Sequence, residues 1–121
     1  MKNHITLGKE GEEAAVRHLE EKGYRILDRN WRWGRQEIDI IARTGPFIVF
    51  AEVKTRKSNY FSEPEDAVTK TKQRILMNVA NAYVRYHKIN LEVRFDVITI
   101  LIQAGKQTVR HIEDAFYITL R

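Results

Sequence analysis

Two β-rich runs, Glu37–Ala42 and Phe47–Lys54, flank a Thr44-Gly45-Pro46 turn signal, and together they read as a β-hairpin. The runs are dominated by Ile38, Ile40, Ile41, Ile48, Val49, Phe50 and Val53, so the sheet they enter is buried on both faces near the turn. They also carry Glu37, Asp39, Glu52 and Lys54. Symmetric pairing about Gly45-Pro46 sets Asp39 opposite Glu52 and Glu37 opposite Lys54. It puts all four on one face, with Ile38 and Val53 on the other. Opposed Cβ atoms lie roughly 4.5–5.5 Å apart, a separation at which two carboxylates repel unless a cation compensates. Two readings stand side by side: a divalent-cation site with Lys54 beside it, and a set of ordinary cross-strand ion pairs such as Glu37–Lys54.

The rest of the chain supplies what such a hairpin packs against. Leu7, Gly11, Ala14, Ala15, His18 and Leu19 recur at helical spacing, with Thr6 as the expected N-cap and Gly23 as the terminating glycine. Tyr24–Leu27 reads as a short strand, Asp28–Arg35 as a polar, aromatic loop, and Ser58–Ser62 as another loop. A long helix is expected from Pro64 to about His87, with Val68, Ile75, Leu76, Val79, Ala80 and Tyr83 on its apolar face. Phe95–Ile102 follows as a central strand, and Ala104-Gly105-Lys106 turns it toward a last strand or irregular tail. The expected fold is α/β, a mixed sheet flanked by helices in the order α-β-β-β-α-β. A single domain over residues 1–121 is expected, because the length suits one core and nothing marks a linker.

The chain has no cysteine, which excludes disulfides, thiolate nucleophiles and Cys-ligated zinc. Its charge is uneven. Residues 22–57 hold nine basic and four acidic side chains, a surplus as large as the +5 of the whole protein. A localised basic band is what a polyanion binder needs, although a solvated surface accounts for it as well. Trp31, Trp33 and Tyr60 lie within or beside the band, as stacking platforms for unpaired bases or as core anchors. There is no apolar leader and no apolar run near the ~20 residues of a membrane span, so a cytoplasmic location without membrane contact is expected. His4, His18, His87 and His111 lack metal-ligand spacing, and neither a Walker loop, a dinucleotide fingerprint nor a nucleophile elbow occurs.

Asp39, followed thirteen residues later by Glu52-Val53-Lys54, resembles the PD-(D/E)XK motif of restriction-endonuclease-like nucleases. The resemblance extends further. Gly11-Glu12, Ala15, Leu19, Gly23-Tyr24, Arg29-Asn30, Glu37–Ala42, Glu52–Arg56, Pro64, Ala67-Val68, Lys72 and Arg94–Val97 together resemble the YraN family of small bacterial proteins. That family commonly has glycine where this chain has Gln36. Glu12, on the edge of the first helix's apolar stripe, is similar to the acidic residue that archaeal Holliday-junction resolvases place at their metal site. A favourable helix-dipole position explains it equally.

The resemblance implies Mg²⁺- or Mn²⁺-dependent hydrolysis of phosphodiester bonds, with branched or damaged DNA as the expected target. Asp39, Glu52, the Val53 carbonyl and Glu12 would hold the ion, and Lys54 would orient the attacking water. Arg29, Arg32, Arg35, Arg56, Lys57 and Lys72 are the expected phosphate contacts, Lys72 alternatively snorkelling past the core. A homodimer would suit an enzyme that cuts both strands. The competing readings are a nucleic-acid-binding module that kept the fold without catalysis, and a protein-interaction partner.

Overall fold

Gly45 and Pro46 do make a tight turn. Thr44 pairs directly with Phe47, and Gly45 supplies the positive φ of 53° on which a two-residue connection depends. The computed structural model describes residues 4–57 and 69–116. In chain order these form α1 (His4–Glu21), β1 (Arg25–Trp33), β2 (Gln36–Thr44), β3 (Phe47–Arg56), α2 (Lys70–Tyr86), β4 (Glu92–Gln103) and β5 (Lys106–Ile112). The strands make one sheet in the order β1-β2-β3-β4-β5. Every neighbouring pair is antiparallel except β3 and β4, which run parallel and are joined through α2. The expected α/β mixed sheet is therefore present, with β5 as a true strand following the turn at Ala104-Gly105.

The helices cover opposite faces. Ala14, Ala15, Val16 and Leu19 of α1 pack on Ile40, Ala42, Val49, Ala51, Ile98 and Ile100. Leu76, Val79, Ala80 and Tyr83 of α2 pack on Ile38, Ile41, Ile48, Phe50, Phe95 and Val97. Burial on both sides explains the nearly unbroken apolar runs of β2, β3 and β4.

Several local expectations are corrected. Thr6 lies inside α1, which begins at His4, so it does not cap that helix. Residues 28–33 are strand and not loop. The run looked irregular because its charged and aromatic side chains serve an edge strand, with a register shift between Ile26 and Asp28 and a left-handed Asn30. The second helix starts at Lys70 and not at Pro64. Thr69 is extended, and its hydroxyl accepts from the Lys72 amide as the N-cap. Pro64, Val68, Tyr60 and the Ser58–Ser62 segment lie outside the described residues. Gly23 does terminate α1, with φ of 89° and Tyr24 N–H donating back to the Leu19 carbonyl.

Gly11 sets how closely α1 approaches β3. A Cβ there would lie within 3.0 Å of Thr55 Cβ and Cγ2 and would overlap Thr55 Oγ1. Gly11→Ala should consequently destabilise the protein by about 1–2 kcal/mol, although glycine-to-alanine in an open helix gains about 1. Urea unfolding checks this, and a variant as stable as wild type would show that α1 shifts without cost.

A buried ionic network ties the α1 face to β4 and β5. Asp96, 1% exposed, accepts from Arg94 Nε and Nη2 at 2.9 Å each, from His111 Nε2 at 2.7 Å and from the Asp114 amide at 3.1 Å. Arg94 also donates to the Tyr24 hydroxyl at 2.6 Å. The His111 Nδ1 left facing outward meets His18 Nε2 at 3.1 Å. His111 thus ties β5 to Asp96 of β4.

Candidate acidic site at the strand fork

The hairpin keeps the register expected of it only as far as Ile40↔Ala51. One residue on, the ladder opens. Asp39 turns its carboxylate into the gap, where Oδ2 accepts the Val53 amide at 2.8 Å. Glu52 is therefore near Asp39 without being its ladder partner. The strands part because the Asp39 side chain takes the hydrogen-bond donor that a β2 carbonyl would otherwise receive.

Charge distribution follows from this fork. Burial pushes the Asp39 carboxyl up to about 7, and the negative charges of Glu52, Glu12 and Glu37 add to it against the pull of the Val53 amide. At neutral pH the group hovers between two protonation states, a perturbation typical of functional sites. Beside it opens a cavity of about 310 Å³ lined by Glu12, Asp39, Val53, Lys54 and Arg56, with Leu7, Gly8 and Thr55 completing the wall.

The sequence-derived candidates do not all converge here. Glu12 does. Its Oε1 accepts from Asn30 Nδ2 at 2.7 Å and from Arg29 at 3.4 Å, so the edge of α1 faces the fork. Glu52 is set back from the cavity wall and pairs with Lys54 at 3.2 Å. The expected Glu37–Lys54 pair is absent, since Glu37 pairs with Arg32 at 3.2 Å instead. Once the strands fork at Asp39, residues beyond it no longer face one another. Arg29 is held between Glu12 and Glu13, the latter at 2.6 Å, and this leaves it less free for phosphate. Arg56 lines the cavity, Lys57 is exposed just past it, and Arg35 is exposed at the β1–β2 turn. Lys72 stands half-buried in the first turn of α2 and is not part of the cavity wall.

Asn30 is the site residue that no chemical pattern flagged. Its φ of 52° turns it out of the strand and aims its amide at Glu12. Asparagine tolerates that backbone region better than most residues, which was the available signal besides the place of Arg29-Asn30 in the family resemblance. Trp31 and Trp33 divide the roles anticipated for them. Trp31 packs edge-on against Tyr83 in the core, whereas Trp33 is 53% exposed.

The donors suit a hard divalent cation. They are carboxylate oxygens, and Mg²⁺ commonly uses one or two carboxylates, keeping water or phosphate oxygens elsewhere. Among the described residues no three Asp, Glu or His side chains are grouped as a ready-made metal set. An ion here would thus rest on Asp39 with Glu52 or Glu12 and take its remaining oxygens from solvent or substrate.

Fold and site together define a class: a small α/β protein whose mixed sheet opens at one end into an acid- and base-lined cavity. The chain belongs to the uncharacterised protein family UPF0102, whose model matches residues 11–100 and so spans Glu12, Asp39, Glu52 and Lys54. It is 46% identical to a UPF0102 protein of Phocaeicola vulgatus over 117 residues, covering 97% of each chain. It is 45% identical to one of Bacteroides thetaiotaomicron, again covering 97% of each. Against a Flavobacterium psychrophilum UPF0102 protein it is 43% identical, covering 97% of this chain and 98% of the relative. No helix among the described residues is long and apolar enough to cross a membrane.

Proposed function

We propose that this protein is a metal-dependent phosphodiesterase of the PD-(D/E)XK kind, acting on DNA. The observation that carries the reading is Asp39, a carboxyl pushed up to about 7 at a strand fork that also presents Lys54 and Arg56. Acidic charge gathered against its own repulsion, in a wall that also holds cations, suits a site for a divalent ion and an anionic phosphate. DNA is preferred over RNA on the family resemblance, and no residue in the site reads a sugar.

Each side chain has a task in this reading. Asp39 and Glu52 would hold the cation, with the Val53 carbonyl and Glu12 as further oxygens. When bound, that cation supplies Lewis-acid stabilisation to the phosphoryl oxygens. Lys54, now clipped to Glu52 at 3.2 Å, swings its ammonium to the attacking water once Glu52 is engaged elsewhere. Arg56 neutralises the adjoining phosphate from the cavity wall. Asn30 orients Glu12 through its 2.7 Å hydrogen bond.

The test is incubation of purified protein with branched, nicked and single-stranded DNA in Mg²⁺ or Mn²⁺. Wild type should cut at least one of these, and the double variant Glu52→Ala, Lys54→Ala should lose the activity. If the two proteins cut equally, the reading fails. The lack of a third grouped carboxylate among the described residues favours one alternative, a nucleic-acid-binding module without catalysis. That protein would bind the same DNA and cut none of it.

A further inference from the structure

A second concave surface lies on the other side of the sheet. It is a groove of about 510 Å³ lined by Trp33 at the end of β1 and by Asn78, Asn81, Ala82, Arg85 and Tyr86 of α2. The helical residues fall at i, i+3, i+4, i+7 and i+8, so they form one stripe beside the core stripe of Leu76, Val79, Ala80 and Tyr83. Ala82, the small residue in that stripe, leaves room between the helix and the indole of Trp33.

Two observations say what would fill it. Of the three large hydrophobic side chains exposed among the described residues, Trp33 at 53% and Tyr86 at 75% both border this groove. Exposing two aromatic rings has a solvation cost that a ligand would recover. Trp33 is also held in orientation, near-parallel to Trp31 at 6.1 Å and 10°, while Trp31 is wedged against Tyr83. Between the rings, Asn78 and Asn81 present amides with no hydrogen bond to other described residues, and Arg85 brings a cation. Flat aromatic faces, amide donors and acceptors, and a guanidinium together match a nucleotide, with base stacked and phosphate neutralised. A hydrophobic peptide would have no use for the amides or the arginine.

The location narrows the substrate. Trp33 pairs with Gln36, three residues before Asp39 on β2, so the groove opens about 10 Å from the acidic fork along the strand. The groove lies on the α2 side of the sheet, whereas the fork cavity is walled by α1. The β1–β2 turn with Arg35 forms the tip of the sheet just past the Trp33↔Gln36 pair. A stiff duplex does not fold around such a tip over so short a distance. A single strand peeling away at the tip does.

We propose that the Trp33–Tyr86 groove binds an unpaired nucleobase, so that this protein recognises junctions between duplex and single-stranded DNA. The proposal rests on the nucleic-acid part of the function argued above and adds the structure of the substrate.

Binding is measured without divalent cation, by anisotropy of labelled DNA, comparing a blunt duplex with the same duplex carrying an oligothymidine tail. Wild type should prefer the tailed DNA by about tenfold or more, the range of one to two stacked bases. Trp33→Ala should remove that preference and leave blunt-duplex affinity unchanged. Ala82→Leu, which fills the groove while keeping the indole, should do the same. Equal affinity of wild type for both DNAs would overturn the proposal, as would a tail preference that survives both substitutions. A protein that shows the tail preference yet cuts nothing in Mg²⁺ would sink only the catalytic reading.

Discussion

Asp39→Asn should abolish DNA cleavage and at the same time stabilise the fold at neutral and alkaline pH. Burial first, then the charges of Glu52, Glu12 and Glu37, push this carboxyl up to about 7 from its ordinary value of 3.8. A carboxyl whose pKa is raised on folding binds more protons in the native state between those two values, so its contribution to stability falls as pH rises through that window. Were the whole shift realised, the loss would approach about 4 kcal/mol above the upper value. Asparagine stays neutral, and its amide oxygen still accepts the Val53 N–H, so the variant escapes this loss. Urea unfolding in chelator at about pH 5 and about pH 8 isolates the effect, because other titrations cancel between the two proteins. The variant's advantage should be small at the lower pH and large at the higher. An advantage that does not change with pH would refute the assignment. Adding Mn²⁺ at the higher pH should then raise the wild-type midpoint and leave that of Asp39→Asn unmoved.

Asp96→Asn should act in the opposite direction. Burial alone would push this carboxyl up, but hydrogen bonds from His111, Arg94 and the Asp114 amide outweigh it and hold the pKa below the ordinary carboxylate value. Its contribution is therefore present above about pH 4 and lost as the solution is acidified. Arg94, 8% exposed, donates to both carboxylate oxygens and stacks over Phe47 at 5.1 Å, and its other carboxylate, Glu113 at 3.3 Å, is half exposed and so a weaker partner. Removing one member of a buried pair costs about 3–5 kcal/mol, because the other charge loses its main compensation. That is a large share of the roughly 5–15 kcal/mol that holds a domain together. Denaturant unfolding at neutral pH reads it directly, and a loss below about 1 kcal/mol would mean that water replaces the carboxylate easily. Acid should thus relieve Asp39 and weaken Asp96, two carboxyls on one sheet with opposite pH responses.

The two residues also differ in how far the sequence disclosed them. Asp39 was legible because a charge set among isoleucines breaks a pattern, and because its spacing to Glu52-Val53-Lys54 resembles a nuclease motif. Asp96 sits in an equally apolar run, yet its partner His111, and the Tyr24 hydroxyl that takes up Arg94, come from distant points of the chain, and no local spacing ties them together. The strand containing Trp31 and Trp33 was hidden for another reason. An edge strand carries polar and charged groups that read as a loop, and here a register shift and a left-handed Asn30 erase the alternation that would have betrayed it.

What the sequence determined by itself is the hairpin and its neighbours: the turn at Gly45-Pro46, the register from Ile40 to Thr44, the helical stripes, and the acidic and basic residues at the hairpin's open end. These depend on side-chain periodicity, turn chemistry and short spacing, all local quantities. Only the tertiary structure decided that the ladder opens at Asp39, that Glu52 recedes behind Lys54, that Asn30 steers Glu12, and that Trp33 and Tyr86 share a groove. Each of those depends on which hydrogen-bond donor or ring arrives from elsewhere in the chain. The Val53 amide is free for Asp39 because β3 meets β4 on one side and an opening strand on the other, and no pattern within either segment encodes that arrangement.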